Sequence, residues 1–237
     1  MMRVKKMVLK RIAIIPDGNR RFAQRNMLGI ENAYAKGFQK VEEILKWAEN
    51  TSIEEISFWA LSLENYQKRS GLELKVLFSL MKRHLLEALK KESFREKKIR
   101  IRFIGKLELL PKELRELMKN LEEETKKGTK SLNIAVAYSG KEEILSAAKR
   151  FAIDFYGKNK NAGREITEKD FEKYLYLQNA PDLIIRTGNV SRLSGFLPWQ
   201  NAYSELYFSK KMWPEFDEKD FRDAIDFYDD AGRRFGK

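Results

Sequence analysis

The chain has 237 residues, with 47 lysines and arginines against 35 aspartates and glutamates for a net charge of +12, one histidine and no cysteine. Disulfides and thiolate zinc sites are thereby excluded, and no apolar run reaches the roughly 18 residues that a membrane-crossing helix needs. The length suits one large domain with an ample core, and the positive balance suits an anionic partner: nucleic acid, an acidic membrane surface or a polyphosphate substrate.

Met1 to Lys10 is basic and has no apolar stretch of signal-peptide length, so the expected location is cytoplasmic, at most peripheral to a membrane. Ile12 to Ile15 reads as a buried strand and Pro16-Asp17-Gly18-Asn19 as a tight exit from it, followed by Arg20 and Arg21. At the carboxyl end of a strand, just before a helix, free N–H groups and the helix dipole favour an anion. Asp17 adds a hard oxygen ligand of the kind Mg²⁺ prefers, and the arginines match phosphate oxygens. The stretch is therefore either a diphosphate site or a turn whose Asp and Asn serve geometry and capping alone. It lacks Gly-x-Gly-x-x-Gly and Gly-Lys-Ser/Thr, which argues against the commonest nucleotide loops.

Apolar residues at helical spacing (Phe38, Val41, Ile44, Leu45, Ala48) predict a helix over Ala33 to Asn50. Ile56 to Leu61 is a second strand, ending in the polar and basic run Ser62 to Ser70. Leu74, Leu77, Phe78, Met81, Leu85 and Leu89 share one side of a long helix from Leu72 to about Phe94, and that side is either core or the wall of a ligand tunnel. His84, among Lys82 and Arg83, reads as a surface or boundary residue rather than a catalyst, which leaves the chemistry to carboxylates, arginines, amides and hydroxyls.

Ile99 to Ile104 alternates arginine with apolar residues, as a strand with one exposed face does. A helix over Pro111 to Lys126 follows, then a strand over Leu132 to Tyr138, a helix over Glu142 to Phe155, a polar loop from Gly157 to Arg164 and a helix from about Glu168. Asp182 to Arg186 is a fifth strand, and Arg186, Arg192 and Ser194 around its Gly-containing exit form a plausible second anion clamp. Ala202 to Phe208 is a sixth strand, in which Glu205 stands alone among aromatics and needs either an arginine or a metal. Strands separated by helices in this rhythm predict one α/β domain over residues 1–237 with a mainly parallel sheet. The basic residues gather at strand ends rather than alternating with exposed aromatics, so nucleic acid is not the expected partner.

Several motifs in order carry a family resemblance over nearly the whole chain. They are Asp17-Gly18-Asn19-x-Arg21-Phe22-Ala23, then Ala60-Leu61-Ser62-x-Glu64-Asn65-Tyr66, then Pro181 to Thr187, Arg192-Leu193-Ser194-x-Phe196-Leu197-x-Trp199-Gln200, and Ala202-Tyr203-x-Glu205-Leu206-Tyr207-Phe208 with Trp213-Pro214. The sequence resembles the cis-prenyltransferases, the undecaprenyl diphosphate synthase family, and Arg234-x-Gly236 resembles that family's tail motif. The resemblance implies a six-stranded parallel sheet with a hydrophobic tunnel, and a homodimeric, Mg²⁺-dependent enzyme. Such an enzyme adds isopentenyl diphosphate repeatedly to a farnesyl or geranylgeranyl diphosphate, giving a long product such as undecaprenyl diphosphate, a glycosyl-carrier lipid precursor.

Carried over by position, Asp17 and Glu205 would serve Mg²⁺, and Asp17 and Asn65 would be catalytic, with Asn65 helping to accept a proton. Gly18, Asn19, Arg20, Arg21 and Phe22 would hold the allylic diphosphate, together with Ser62, Leu63, Glu64, Tyr66, Lys68 and Arg69 on a mobile catalytic loop. Arg186, Arg192, Leu193 and Ser194 would grip isopentenyl diphosphate, with Arg234 and Gly236 completing that site across the dimer. The long helix from Leu72 then reads as a tunnel wall, small Ala60 sits at a wall position that favours a long product, and product release implies peripheral membrane contact.

The chain departs from the family pattern at Tyr34, where a histidine is usual, at Ile30 for an arginine, at Ala137 for an asparagine, and at Asn189-Val190 for Gly-Glu. Either Lys68 or Arg69 stands for the usual loop arginine. These changes imply that part of the allylic grip is missing and that the Asp17 to Arg21 loop carries more of it. The rival readings are a non-catalytic partner subunit of the same fold and a trans-type prenyltransferase. The latter needs two Asp-Asp-x-x-Asp motifs, and Asp229-Asp230 lacks the continuation.

Overall fold

Six apolar stretches pair side by side in a computed structural model that describes residues 8–90, 94, 98–156 and 165–231. They are β1 (Arg11–Ile15), β2 (Glu55–Ser62), β3 (Ile99–Ile104), β4 (Lys130–Tyr138), β5 (Leu183–Arg186) and β6 (Glu205–Phe208), in the order β3-β4-β2-β1-β5-β6 with every pairing parallel. Alternate residues of each strand feed opposite faces: Ile12 and Ile14 enter one buried cluster, Ala13 and Ile15 another. A parallel sheet needs cover on both faces, and the Ile-rich strands read as continuous apolar runs for that reason.

The covering helices are α1 (Asn19–Arg25), α2 (Ile30–Trp47), α3 (Leu63–Lys68), α4 (Gly71–Lys90), α5 (Lys112–Thr125), α6 (Gly140–Tyr156), α7 (Glu168–Glu172) and α8 (Glu218–Asp230). The larger apolar cluster joins α2, α4, α5 and α8 to the sheet through Ile44, Leu80, Met118 and Phe221. The smaller one lies on the other face, where Trp59 stacks on Phe196 with ring centroids 5.0 Å apart. Among the described residues, no helix is long and apolar enough to cross a membrane.

Chain order reverses at β1. From β1 the chain passes to β2, out to the edge strand β3 and back to β4 between them, then crosses to β5 on the opposite side of β1, so the β1/β5 boundary is the switch point at which open α/β sheets bind ligands outside their strand carboxyl ends. Ile15 faces Arg186 at that edge. In β2 the register against β4 slips between Trp59 and Leu61, leaving Ala60 as the extra residue of a bulge, a device that re-aims a strand beside a functional site.

The six strands and the long helices match the sequence reading, with differences at the edges. β6 begins at Glu205 rather than Ala202, because the preceding residues close a turn in which the Ser204 N–H donates to the Asn201 carbonyl. Three helices went unread: α1 and α3 are too short to show a periodic stripe. α8 hides its apolar stripe (Phe221, Ala224, Tyr228) among charges, although the Asp217/Asp220 capping box marks its start. The basic start (residues 1–7), the polar loop from 157 to 164, and Arg234 and Gly236 lie outside the described residues.

Candidate active site

The exit from β1 is held by backbone before any side chain contributes. Gly18 adopts φ 111°, and a Cβ there would stand 2.8 Å from the Met212 Cβ, so only glycine lets the chain turn into α1. The Asp17 carbonyl accepts from Trp213 N–H at 2.9 Å and from Thr187 Oγ1 at 2.8 Å, tying β1's exit to the segments that follow β5 and β6.

That fixed backbone aims the Asp17 carboxylate between two guanidinium groups. Oδ2 accepts from Arg186 Nη2 at 2.9 Å, and Oδ1 is 3.2 Å from Arg21 Nη2. Arg186 is buried with its side chain 6% exposed, and its other amino group donates to Ser194 Oγ at 2.8 Å and to the Arg192 carbonyl at 2.5 Å. Arg21 also donates to the Gly188 carbonyl at 2.6 Å. The first and second anion clamps are therefore one cluster. Ser194 is held at φ 52°, a left-handed conformation uncommon for serine, in a loop where Asn189 (φ 54°) and Leu197 (φ 47°) share it.

A second carboxylate sets that loop's position. Glu143, fully buried on α6, accepts from Tyr138 Oη at 2.5 Å, from Tyr176 N–H at 2.7 Å and from Gln200 Nε2 at 3.3 Å. Burial pushes its carboxyl above the ordinary range against the pull of those donors. At the start of α6, a Cβ on Gly140 would lie 2.4 Å from the Gly195 carbonyl oxygen, so a side chain there would push the loop away. Ala137, which holds φ 48°, occupies a conformation that the family's usual asparagine adopts more readily.

Across the mouth, Ser62 accepts from Asn65 N–H at 3.0 Å and caps α3, so the stretch read as a loop is a short helix. Ser62, Glu64, Asn65 and Arg69 face the same cavity as Asp17, Gly18, Asn19, Arg20, Arg21, Arg186, Arg192 and Ser194. Other expected site residues do not. Phe22 packs with Ala33 and Met212 beneath the Lys36 amine, and Tyr66 turns its hydroxyl to the Leu109 carbonyl at 2.9 Å. Leu63, Lys68 and Leu193 are not among the lining residues, so of the two candidate loop cations only Arg69 faces the cavity.

Glu205 is also elsewhere. It opens β6 opposite Leu183, three residues before the level of Arg186 and roughly 10 Å back along the sheet at about 3.3 Å per residue, so one chain does not bring it beside Asp17. His84 lines the cavity wall and stacks on Phe38 at 4.9 Å, away from the charged mouth.

Behind the mouth the cavity is apolar. About 1090 Å³ in all, larger than the roughly 300–1,000 Å³ of ordinary ligand pockets, it runs beneath α2 and α4 past Ala60, Leu45, Met81 and Ala88 to Phe103 and Leu121. Of the helix read from Leu72, the Leu77, Met81 and Leu85 face lines this cavity. Sequence reasoning did not single out Glu73, whose Oε1 accepts from Tyr34 Oη at 2.5 Å and lies 3.3 Å from Arg69 Nε; the signal was the i,i+4 spacing of Arg69 and Glu73 at a helix start.

Comparison with known proteins agrees with this geometry. A family model described as "Putative undecaprenyl diphosphate synthase" matches residues 15–236. A tritrans,polycis-undecaprenyl-diphosphate synthase (geranylgeranyl-diphosphate specific) from Thermoplasma volcanium is 44% identical over 231 residues, covering 96% of this chain and 89% of that protein. One of the same name from Methanocaldococcus jannaschii is 39% identical over 96% of this chain and 82% of its own length. Among solved structures, lavandulyl diphosphate synthase from Lavandula x intermedia in complex with dimethylallyl diphosphate superposes with a TM-score of 0.89 at 30% identity, covering 95% of this chain and 97% of that one.

Proposed function

The chain belongs to the undecaprenyl diphosphate synthase family of cis-prenyltransferases and is a prenyl-chain-elongating enzyme. On that premise we propose that it adds isopentenyl diphosphate units, with Mg²⁺, to geranylgeranyl or farnesyl diphosphate and releases a long cis-polyprenyl diphosphate such as undecaprenyl diphosphate. One observation carries this reading: a single cavity joins a mouth of arginines to an apolar depth of about 1090 Å³ in all, a shape suited to a diphosphate with a growing hydrocarbon tail.

In each cycle the allylic C–O bond breaks and diphosphate leaves. The terminal carbon (C4) of the isopentenyl double bond forms the new C–C bond, which leaves the positive charge on C3, and C2 then loses a proton so that the double bond re-forms between C2 and C3. Charge grows on the leaving oxygens, so preorganised cations aimed at them lower the barrier. Arg20, Arg21 and Arg69, with Gly18 and Asn19, would hold the allylic diphosphate. Arg186, Arg192 and Ser194 would hold isopentenyl diphosphate alongside, which supplies the orientation that a two-substrate step needs. The Asn65 carboxamide, facing the same space, would receive the departing proton on its way to a diphosphate oxygen.

The residues present fit Mg²⁺. Among the described residues no group of three or more carboxylate or histidine ligands occurs, but Mg²⁺ characteristically takes one or two carboxylates and completes its shell with water and substrate phosphate. Asp17, facing the cavity, would hold it, and the bound ion would neutralise charge on the leaving diphosphate. Glu205 would serve the metal only from a second copy of the chain, which supports a homodimer, as does the reading that Arg234 and Gly236 complete a site across the interface. Product release would take place at a membrane surface met peripherally from the cytoplasm. The intact Asp17, Arg21 and Arg186 cluster favours a working enzyme over a non-catalytic partner.

The test is a product assay with labelled isopentenyl diphosphate and dimethylallyl, farnesyl or geranylgeranyl starters, with Mg²⁺ and with chelator. Long lipid-extractable product from the longer starters, lost on chelation, is expected. Folded protein that makes none with any starter overturns the reading.

A further inference from the structure

We infer that Tyr34 is a positioning residue for the allylic diphosphate, acting through Glu73 to fix the guanidinium of Arg69 at the cavity mouth. The inference rests on the allylic-diphosphate reading of that mouth. Tyr34 comes from the first turns of α2, Glu73 from the first turn of α4, and Arg69 from the link between α3 and α4.

One carboxylate oxygen joins the three. Glu73 Oε1 accepts from the Tyr34 hydroxyl at 2.5 Å and stands 3.3 Å from Arg69 Nε, while the Arg69 guanidinium lies 5.4 Å from the centre of the Tyr34 ring. Tyr34 and Arg69 line the cavity and Glu73 does not, so the carboxylate is a prop set behind the two groups a ligand would meet. The prop is dry: the Arg69 and Glu73 side chains are 11% and 17% exposed, where an ion pair is screened far less than at the surface.

Arg69 thus has its buried Nε at ion-pair distance from Glu73, without a hydrogen bond, and one face against the Tyr34 ring. No acceptor among the described residues takes its terminal amino groups, and an outward guanidinium fork is the shape that matches diphosphate oxygens in pairs. The substitution of tyrosine for the family's usual histidine, which implied a lost part of the grip, instead moves the polar contact one layer back. Packing alone does not require the hydroxyl. A phenylalanine would fill the same buried space, but Glu73 would lose its shortest contact. Burial and then the Glu73 hydrogen bond push the phenol up, so Tyr34 remains a donor at any working pH.

The experiment titrates the whole protein with two non-reacting probes, geranylgeranyl thiodiphosphate and isopentenyl thiodiphosphate, by calorimetry. Tyr34→Phe should weaken the allylic probe roughly tenfold, the loss expected when a charge-assisted buried hydrogen bond is removed, while the isopentenyl probe stays within about twofold. In an Arg69→Met background the Tyr34→Phe step should vanish, since a group that acts through Arg69 has nothing left to position. Glu73→Gln, which keeps the shape and drops the charge, should reproduce the allylic-selective loss and serves if Tyr34→Phe proves unstable. Equal weakening of both probes, additivity with Arg69→Met, or no change in allylic affinity overturns the inference. If the unmodified protein binds neither probe, the diphosphate reading of the mouth itself falls.

Discussion

Two arginine–carboxylate clusters face each other across the cavity mouth, and they are built in opposite senses. In the first, the Asp17 carboxylate, 32% accessible, faces the cavity between buried Arg186 and the more exposed Arg21. In the second, Glu73 is hidden and Arg69 faces the cavity. A carboxylate in front can change partners when a cation or diphosphate arrives, whereas a carboxylate behind can only hold its arginine still. The same pair of residue types therefore yields an exchangeable ion pair on the β1/β5 side and a fixed guanidinium on the α3/α4 side.

The sharpest way to break that contrast is at Asp17. Asp17→Ala should reduce turnover on the order of 10³-fold, the scale reached when a preorganised charge at the reacting centre is removed, with the far-ultraviolet spectrum and melting point near those of the unmodified protein. Near-normal turnover would mean that the front carboxylate is a spectator, and the two clusters would then differ only in burial.

A smaller effect separates the two arginines. Arg186 spends both amino groups inside the protein, on Asp17 at 2.9 Å and on Ser194 at 2.8 Å, while Arg69 meets Glu73 by an ion pair at 3.3 Å and packs one face on Tyr34. Lysine is a single point charge and cannot bridge two acceptors. Arg186→Lys should raise the KM for isopentenyl diphosphate about a hundredfold, and Arg69→Lys should raise the KM for the allylic substrate only about tenfold, because the first change breaks hydrogen bonds to both Asp17 and Ser194 and the second disturbs a single ion pair. Equal losses would erase the distinction drawn between the clusters.

Much of the front cluster was legible in the sequence, because strand exits advertise themselves: Ile12 to Ile15 is an apolar run and Pro16-Asp17-Gly18-Asn19 is turn chemistry. The order of the sheet was not legible. It is the return of the chain to β5, on the other side of β1, that lays Arg186 beside Asp17, and no local pattern encodes a pairing 169 residues apart. The rear cluster was nearly invisible for a different reason. Tyr34 and Glu73 each fit an ordinary amphipathic helix, and their meaning arises only where α2 and α4 pack. Glu205 shows the same limit: an isolated acid among aromatics reads as needing an arginine or a metal, but only the sheet order shows that it opens the edge strand β6, away from Asp17 in the same chain.

Glu143 extends the contrast to its limit, a carboxylate with no exposure at all, and predicts a pH effect rather than a loss of rate. Its folded-state pKa lies above the ordinary 4.5, with burial the main cause, so protonation favours the folded chain. That contribution is complete below pH 4.5 and is lost as the pH rises through the raised value. Glu143→Gln removes the titration and leaves a pH-independent penalty, because an amide has one oxygen where the carboxylate meets three donors: Tyr138, Tyr176 and Gln200. Melting curves between mildly acid and neutral pH should therefore converge, with the variant gaining on the unmodified protein as the pH rises. Parallel curves would show that the Glu143 carboxyl already titrates as an ordinary one, and that its three donors, rather than burial, set its charge.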